Sequence, residues 1–449
     1  MFEAWRGAGR EVAVLGLGKS GIAAARLLKA HGVTVYASDA GTGPGVAAEA
    51  AALVALGIAA EAGGHDLARI GDATAAVVSP GIPPGAAALV TARAAGIEIL
   101  AEAELGLRAL PNARVLAITG TNGKTTTTAL TAHLLVTGGL RAMAAGNIGR
   151  PLSEVALEPT PPDWLAVELS SFQLHDMPTL APTAGVLTNL APDHLDRYAL
   201  LAEYYADKAR LYRNATAGSI WISNADDSGV QEMVAGVPGD HRWFSTTYRS
   251  DGWFDRREAI LRLGMTPLLP RRELMLLGDH NVANALAAAL AASVAGVGRE
   301  AIAEGLRSFR ALPHRLEPVK EVGGVLWIND SKATNIASTE VALSALDRPY
   351  VLLLGGRHKG EPYTRLAPLL AARCRAVVAY GEARPLVVAD LKGAVPVVEA
   401  GPFEQVLSEA RRLATPGDAV LLSPACSSYD MFKNYEERGA RFRAAVEAL

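Results

Sequence analysis

The chain has only two cysteines, Cys374 and Cys426, and that scarcity excludes a disulfide framework and a structural zinc site. It fits a reducing, cytoplasmic setting. Strong charge of one sign is also missing: the formal net charge is −3, and Lys and Arg are scattered among Asp and Glu without a basic run. Nucleic acid and membrane surfaces therefore find no electrostatic footprint. Long apolar runs are absent too. The most apolar helical stretch, 283–297, is Ala-rich and falls short of the roughly 20 residues that cross a bilayer, so it reads as a buried core helix. The segment Met1-Phe2-Glu3-Ala4-Trp5-Arg6 is acidic and polar where an export signal would be basic and then apolar, so none is expected.

Half of the 449 residues are hydrophobic and about a fifth are charged, which is a globular composition. At roughly 150 residues per domain, this length suggests two to four domains. From Glu11, β-rich runs alternate with helical patterns: Val12-Ala13-Val14-Leu15, a helix over 22–30, then Val33-Thr34-Val35-Tyr36. That is a βαβ opening. Ala76-Val77-Val78 and Glu98-Ile99-Leu100 continue the domain, which closes near Leu110-Pro111.

The pattern restarts at Val115-Leu116-Ala117-Ile118, followed by runs at 164–167, 184–187 and 219–222 and by hairpin character over 243–277. Leu312-Pro313-His314-Arg315 reads as a hinge, after which β-rich runs recur at 325–328, 350–354, 376–380 and 419–422. No solenoid-length repeat interrupts this order. The strong motifs each follow the C-terminal end of a strand, where open α/β sheets place their ligand crevices.

The sharpest motif is Gly120-Thr121-Asn122-Gly123-Lys124-Thr125, with Thr126 behind it. Glycines let backbone N–H groups face an anion, a Lys neutralises charge, and a Thr hydroxyl suits Mg²⁺, so the loop is expected to hold ATP phosphates. The common G-x-x-x-x-G-K-[ST] spacing would put a glycine at Ile118, so this is a tighter variant. ATP chemistry also calls for a carboxylate at a neighbouring strand end, and Glu168 occupies such a place, although a carboxylate there is as often a cap. Asp193-His194 is a second polar cluster. Gly16-Leu17-Gly18-Lys19-Ser20-Gly21 with Asp39 matches a dinucleotide fingerprint, which leaves an NAD-binding oxidoreductase or sensor open.

These motifs, together with Glu168-Leu169-Ser170-Ser171-Phe172-Gln173-Leu174, Asp193-His194-Leu195-Asp196-Arg197-Tyr198, Asn329-Asp330-Ser331-Lys332-Ala333-Thr334-Asn335 and Leu422-Ser423-Pro424-Ala425-Cys426-Ser427-Ser428, occur in one order. The chain resembles the Mur ligases, most nearly the branch that adds D-glutamate to UDP-N-acetylmuramoyl-L-alanine. The resemblance runs from the first glycine turn to Phe442. It implies an α/β protein of three domains: an N-terminal Rossmann-like domain for the UDP substrate (1–110), a central P-loop ATPase-like parallel sheet for ATP (111–312), and a C-terminal Rossmann-like domain for the amino acid (313–449).

Carried over residue by residue, the resemblance implies Lys19, Ser20, Asp39, Gly81, Asn147, Ser170 and His194 along the UDP-sugar path. It implies Asn281, Asn284, Arg315 and Asp330 as further contacts to ATP, and Thr334, Lys359, Ser428 and Tyr435 around the amino acid. The catalytic set would be Lys124, Glu168, His194, Lys208 and Lys332. Thr125, Glu168, His194 and Lys208 would hold two Mg²⁺ ions, with Lys208 carbamylated, since an ammonium repels a cation and a carbamate offers oxygens. Without the resemblance, Lys208 reads as a solvated helix residue. The expected partners are UDP-MurNAc-L-alanine and glutamate, with no nucleic acid and no membrane, acting on a monomer in cytoplasmic peptidoglycan precursor synthesis. A sibling ligase that takes L-glutamate or another amino acid is the nearer alternative to this reading.

Overall fold

In the computed structural model, which describes residues 1–193, 197–198 and 200–449, the alternating runs become three sheets among the described residues. Residues 1–273 with 283–307 form one unit and carry the first two sheets, while 274–282 with 308–449 form the other and carry the third.

The first sheet holds β1 (Val12–Leu15), β2 (Val35–Asp39), β3 (Ala59–Ala62), β4 (Ala75–Val78) and β5 (Glu98–Ala101) in the order β3-β2-β1-β4-β5. All pairs are parallel. β1 and β4 are buried along their whole length, as strands covered on both faces must be. The order reverses between β1 and β4, which opens a crevice at their C-terminal ends. The helix Lys19–Ala30 begins earlier than the expected residue 22, because Gly18 already caps it in an extended conformation. It closes through Gly32 at φ 72°, with Val33 N donating to Leu28 O at 3.0 Å. That left-handed ending consumes Gly32 and Val33, so β2 starts at Val35 and not at Val33.

The second sheet holds β6 (Arg114–Thr119), β7 (Ala142–Gly146), β8 (Trp164–Glu168), β9 (Ala184–Leu187), β10 (Ile220–Asn224), β11 (Asp240–Ser245), β12 (Gly252–Asp255), β13 (Ile260–Leu263) and β14 (Thr266–Pro270). Their order is β14-β13-β12-β11-β10-β9-β6-β8-β7, with β6 between β8 and β9. Only β12, β13 and β14 pair antiparallel, so the hairpin character expected over 243–277 is confined to 252–270. The turns that permit it have Ala259 and Gly264 at positive φ. The Ala-rich stretch is the helix Asp279–Val294, in which Ala285, Ala287, Ala288, Ala289, Ala291 and Ala292 are fully buried. No helix among the described residues is long and apolar enough to cross a membrane.

The first two sheets meet through the helix Glu102–Ala109, which directly follows β5. Buried Glu102 accepts a hydrogen bond from Ser153 N at 2.6 Å, on the short helix Leu152–Val155 of the second sheet's layer. Burial pushes the Glu102 carboxyl up to about 7, against the opposing pull of the Ser153 bonds.

The third sheet holds β15 (Glu317–Val322), β16 (Val325–Asn329), β17 (Tyr350–Gly355), β18 (Cys374–Tyr380), β19 (Val397–Glu399) and β20 (Ala419–Leu422) in the order β15-β16-β20-β17-β18-β19. β15 is antiparallel to β16 and the remaining pairs are parallel. β17 and β20 are wholly buried.

Candidate active site

β6 ends at Thr119, and the chain turns through Gly120 to Gly123 into the helix Lys124–Thr137. Ile118 is still strand, fully buried and paired with Glu168 and Val186, so the loop starts only at Gly120. Gly120 has φ 146°, and a Cβ there would lie 1.9 Å from Thr188 Oγ1. Residues just past β9 brace the loop. Thr121 N donates to Asn189 O at 2.9 Å and Asn122 N to Asn189 Oδ1 at 2.8 Å. Thr188 Oγ1 in turn donates to Asn122 O at 2.6 Å. These braces were not anticipated, yet Thr188-Asn189 is a polar ending to an apolar strand, and that was the available signal.

Lys124 sits at the start of the helix, where backbone N–H groups and the helix dipole favour an anion. Its ammonium donates to Gly120 O at 3.0 Å and Thr121 O at 2.7 Å. Thr125 and Thr126 follow in the same turn. Asn284 Oδ1 accepts from Thr127 Oγ1 at 3.2 Å, which puts Asn284 directly behind the loop.

Glu168 closes β8, beside β6, and is 2% exposed. Oε1 accepts from Asn147 Nδ2 at 2.9 Å, and Asn147 N donates to Glu168 O at 2.9 Å. Oε2 is buried without a hydrogen-bond partner among the described residues. A carboxylate oxygen stripped of water and partners is costly, and a hard cation is the kind of group that compensates it. Ser170 caps the helix Ser171–His175 in a capping box with Gln173.

Lys208 is not a solvated helix residue. It is 1% exposed, and its Nζ donates to Gly120 O at 2.6 Å and lies 4.7 Å from the Tyr204 ring centroid. Burial, then the neighbouring charge of Lys124, holds its ammonium well below the usual lysine range, while Asp193 and Glu168 pull the other way. Tyr204, also unanticipated, reaches Thr121 Oγ1 at 3.2 Å. His194, expected as a metal ligand and on the UDP-sugar path, lies outside the described residues. Among the described residues no group of three or more His, Cys, Asp or Glu could hold a metal ion.

In the first sheet, Lys19 and Ser20 open the helix after β1, as an anion-binding turn requires. Asp39 is committed to the turn itself: Oδ2 accepts from Leu17 N and Oδ1 from Gly41 N, each at 2.7 Å. Gly81, just past β4, offers its carbonyl to Arg197 Nη2 at 2.6 Å, and Arg197 packs over the Phe172 ring at 4.8 Å.

In the second unit, Asp330 follows β16 and is buried; it accepts from Ser423 Oγ at 2.8 Å and Leu316 N at 3.1 Å. Burial pushes it up to about 7. Lys332 Nζ lies 5.3 Å from the Tyr435 ring centroid, and Lys332 N donates to the His314 carbonyl at 3.1 Å, beside Arg315. Lys359 Nζ donates to Thr334 Oγ1 at 3.4 Å. Ser428 is buried in the loop after β20, and Asn281 donates to Leu277 O at 2.8 Å.

The tie between the loops after β16 and β20 went unread in the sequence. Arg438, fully buried, donates to Ser331 Oγ at 3.0 Å, Ser331 O at 2.8 Å and Cys426 O at 3.2 Å. Its signal was an arginine on the face of the helix Tyr435–Glu447 that also carries Gly439, Phe442 and Val446.

Family models match along the chain in matching order: the MurD-like N-terminal domain of Mur ligases over 10–101, the Mur ligase middle domain over 118–292, and the Mur ligase glutamate ligase domain over 314–426. The UDP-N-acetylmuramoylalanine–D-glutamate ligase of Acidobacterium capsulatum is 41% identical over 446 residues, 98% of this chain and 96% of that protein. That of Myxococcus xanthus is 41% identical over 451 residues, covering 98% and 99%. Among solved structures, the UDP-N-acetylmuramate–alanine ligase MurC of Thermotoga maritima superposes with a TM-score of 0.61 at 18% identity, over 98% of this chain and 99% of that one. MurF of Acinetobacter baumannii gives 0.60 at 18%, over 92% and 91%. These likenesses to solved structures bear on the fold, and the three-domain architecture is shared. The chain belongs to the Mur ligase family, and within it to the MurD type.

Proposed function

We propose that this Mur ligase uses ATP to join D-glutamate to UDP-N-acetylmuramoyl-L-alanine through an acyl phosphate, in the making of peptidoglycan precursor. The alanyl carboxylate attacks the γ-phosphate of ATP, forming a C–O–P bond and releasing ADP. The glutamate amine, after losing a proton, attacks the acyl carbon and expels inorganic phosphate, leaving the amide.

The observation that carries this reading is the cluster at Gly120. A loop built for phosphates is overlooked by Lys124, by buried Lys208 and by a Glu168 oxygen without a partner among the described residues. Two anions must meet in the first step, so most of the work is neutralisation and alignment. Lys124 and the helix start would bind the β- and γ-phosphates, and Lys332 would add positive charge. Thr125, Glu168, His194 and a carbamylated Lys208 would hold two Mg²⁺ ions, supplying positive charge to the phosphate oxygens. Carbamylation joins the Lys208 amine to CO₂ with loss of one proton, and it converts a buried amine into an oxygen donor beside Glu168.

We assign residues 1–110 to the UDP substrate, with Lys19, Ser20, Asp39, Gly81, Asn147 and Ser170 along its path. Residues 111–312 would take ATP, with Thr121, Asn122, Asn281 and Asn284 around it and with Arg315 and Asp330 as further ATP contacts. Residues 313–449 would bind glutamate through Thr334, Lys359, Ser428 and Tyr435. An NAD site gains no support, because residues 10–101 match the MurD-like N-terminal domain of Mur ligases.

The test is a panel of amino acids, both enantiomers of glutamate included, scored for ADP release with UDP-MurNAc-L-alanine. D-Glutamate is expected to stand alone. Equal turnover with L-glutamate or another amino acid would overturn the assignment of the incoming substrate.

A further inference from the structure

The side chain next to Lys208 points to a feature that the family assignment does not use. Successive side chains on an α-helix diverge by about 100°, so Asp207 and Lys208 meet different neighbours. Lys208 reaches Gly120, whereas Asp207, with a side chain 10% exposed, collects three donors. Oδ1 accepts from His175 Nδ1 at 2.7 Å and from Arg210 Nε at 2.9 Å, and Oδ2 accepts from Tyr198 OH at 3.0 Å. Arg210 Nη1 also donates to His175 O at 3.3 Å, and Tyr198 stacks on Phe172 with centroids 5.3 Å apart.

These bonds moor the end of the helix Leu201–Ala209 to the helix Ser171–His175, which begins shortly after Glu168. Beside the mooring lies a cavity of about 500 Å³ whose lining includes His175, Asp207, Arg210, Ser79, Pro80 and Leu89. The turn that follows buries Leu211 and Tyr212 in the core, and the polar knot adds direction to this packed helix end by fixing which way Asp207 faces.

We propose that Asp207, held by His175, Arg210 and Tyr198, is a positioning residue that fixes Lys208 against the phosphate loop and thereby sets how readily Lys208 takes up CO₂. The proposal rests on the carbamate reading above. A merely structural role would lower the amount of folded enzyme but would leave the CO₂ requirement of the folded fraction alone.

The experiment uses the full-length enzyme without nucleotide or metal, titrated with ¹³C-bicarbonate and read by the carbamate carbon resonance. It is paired with steady-state kinetics at each bicarbonate concentration. Wild type is expected to show a saturable resonance and CO₂-dependent kcat. In Asp207→Ala the bicarbonate needed for half-saturation should rise roughly fivefold or more, and kcat at ambient CO₂ should fall about tenfold. KM for ATP and for the UDP-sugar should stay within about twofold, and added bicarbonate should restore part of kcat.

Asp207→Asn keeps an acceptor for His175 and Arg210 and should remain within about threefold of wild type. If Asp207→Ala does not fold, His175→Ala, which removes one donor, decides: a rise of roughly twofold in half-saturation supports the proposal and no change sinks it. A wild type with neither resonance nor CO₂ dependence removes the carbamate reading and this proposal together. A wild type with both, matched by an unchanged Asp207→Ala, removes the positioning role alone.

Discussion

Two glycine turns in the first unit, Gly16–Gly21 and Gly120–Lys124, use one backbone device: a parallel strand ends, glycines turn the chain, and a helix begins over the opening. They differ in what surrounds the turn. At the first, each oxygen of the nearby Asp39 carboxylate accepts a backbone amide of the turn, Leu17 N and Gly41 N, so the carboxylate mainly holds the turn together. At the second, Glu168 keeps a buried oxygen without a partner among the described residues, and two lysines converge on the Gly120 carbonyl. A turn whose charges are satisfied can hold a ligand; a turn whose charges are left in tension can also react. Backbone geometry alone does not separate the two cases.

The sharpest way to break this contrast is to remove the lysines. Lys124→Ala should cut substrate-dependent ADP release by at least roughly 10²- to 10³-fold in kcat, the scale of losing a group that stabilises transferring charge. Lys19→Ala should cost about tenfold, mostly in KM for the UDP-sugar. Equal losses in steady-state assays would erase the distinction.

Next come the carboxylates. Glu168→Gln should lower kcat by roughly 10²-fold, whereas Asp39→Asn should leave kcat within about threefold and show itself as a lower melting temperature. A kinetic collapse in Asp39→Asn would mean that the first turn is more than a holder.

The glycines give a smaller, structural comparison. Gly120→Ala should destabilise by about 1–3 kcal/mol in chemical denaturation, because its φ of 146° is strained and its Cβ meets Thr188 at 1.9 Å. Gly16→Ala, at φ 92° with Ser79 Oγ 2.9 Å away, meets a much shallower overlap and should cost less.

The smallest effect expected is at the joint between the two sheets. Burial raises the Glu102 carboxyl from 4.5 to about 7, so its contribution to stability is full below the ordinary carboxylate value and is lost as pH rises through 7. Glu102→Gln should melt near wild type at pH 5 and a few degrees higher at pH 8 by calorimetry.

Much of this was legible in the sequence. The strand before the phosphate loop, the loop and Glu168 at a neighbouring strand end were read from residue types and spacing, whereas the later motifs took their meaning from the resemblance to the Mur ligases. Lys208 was not, because nothing local distinguishes a buried lysine from a solvated one; its burial depends on the Gly120 carbonyl just past β6, 88 residues away in the chain, as well as on Tyr204 one helical turn earlier. Arg438 and Asp207 were missed for a related reason. A charged residue on a helix is read as facing water until its long-range partners, Ser331 and Cys426 or His175 and Tyr198, are in place. The expected strand at Val33 failed locally, through a helix ending that claimed two more residues.

The bracing of the phosphate loop carries a consequence for anyone designing inhibitors. Thr121 N and Asn122 N already donate to Asn189, so the loop cannot turn those two amides toward an incoming anion without breaking its own support. A phosphate mimic that adds acceptors on that flank would find those two amides already engaged. Affinity would be better sought at the helix start, and selectivity at the Asn189 brace, where a compound that competes for the amides would pry the loop open and disable the enzyme without resembling ATP.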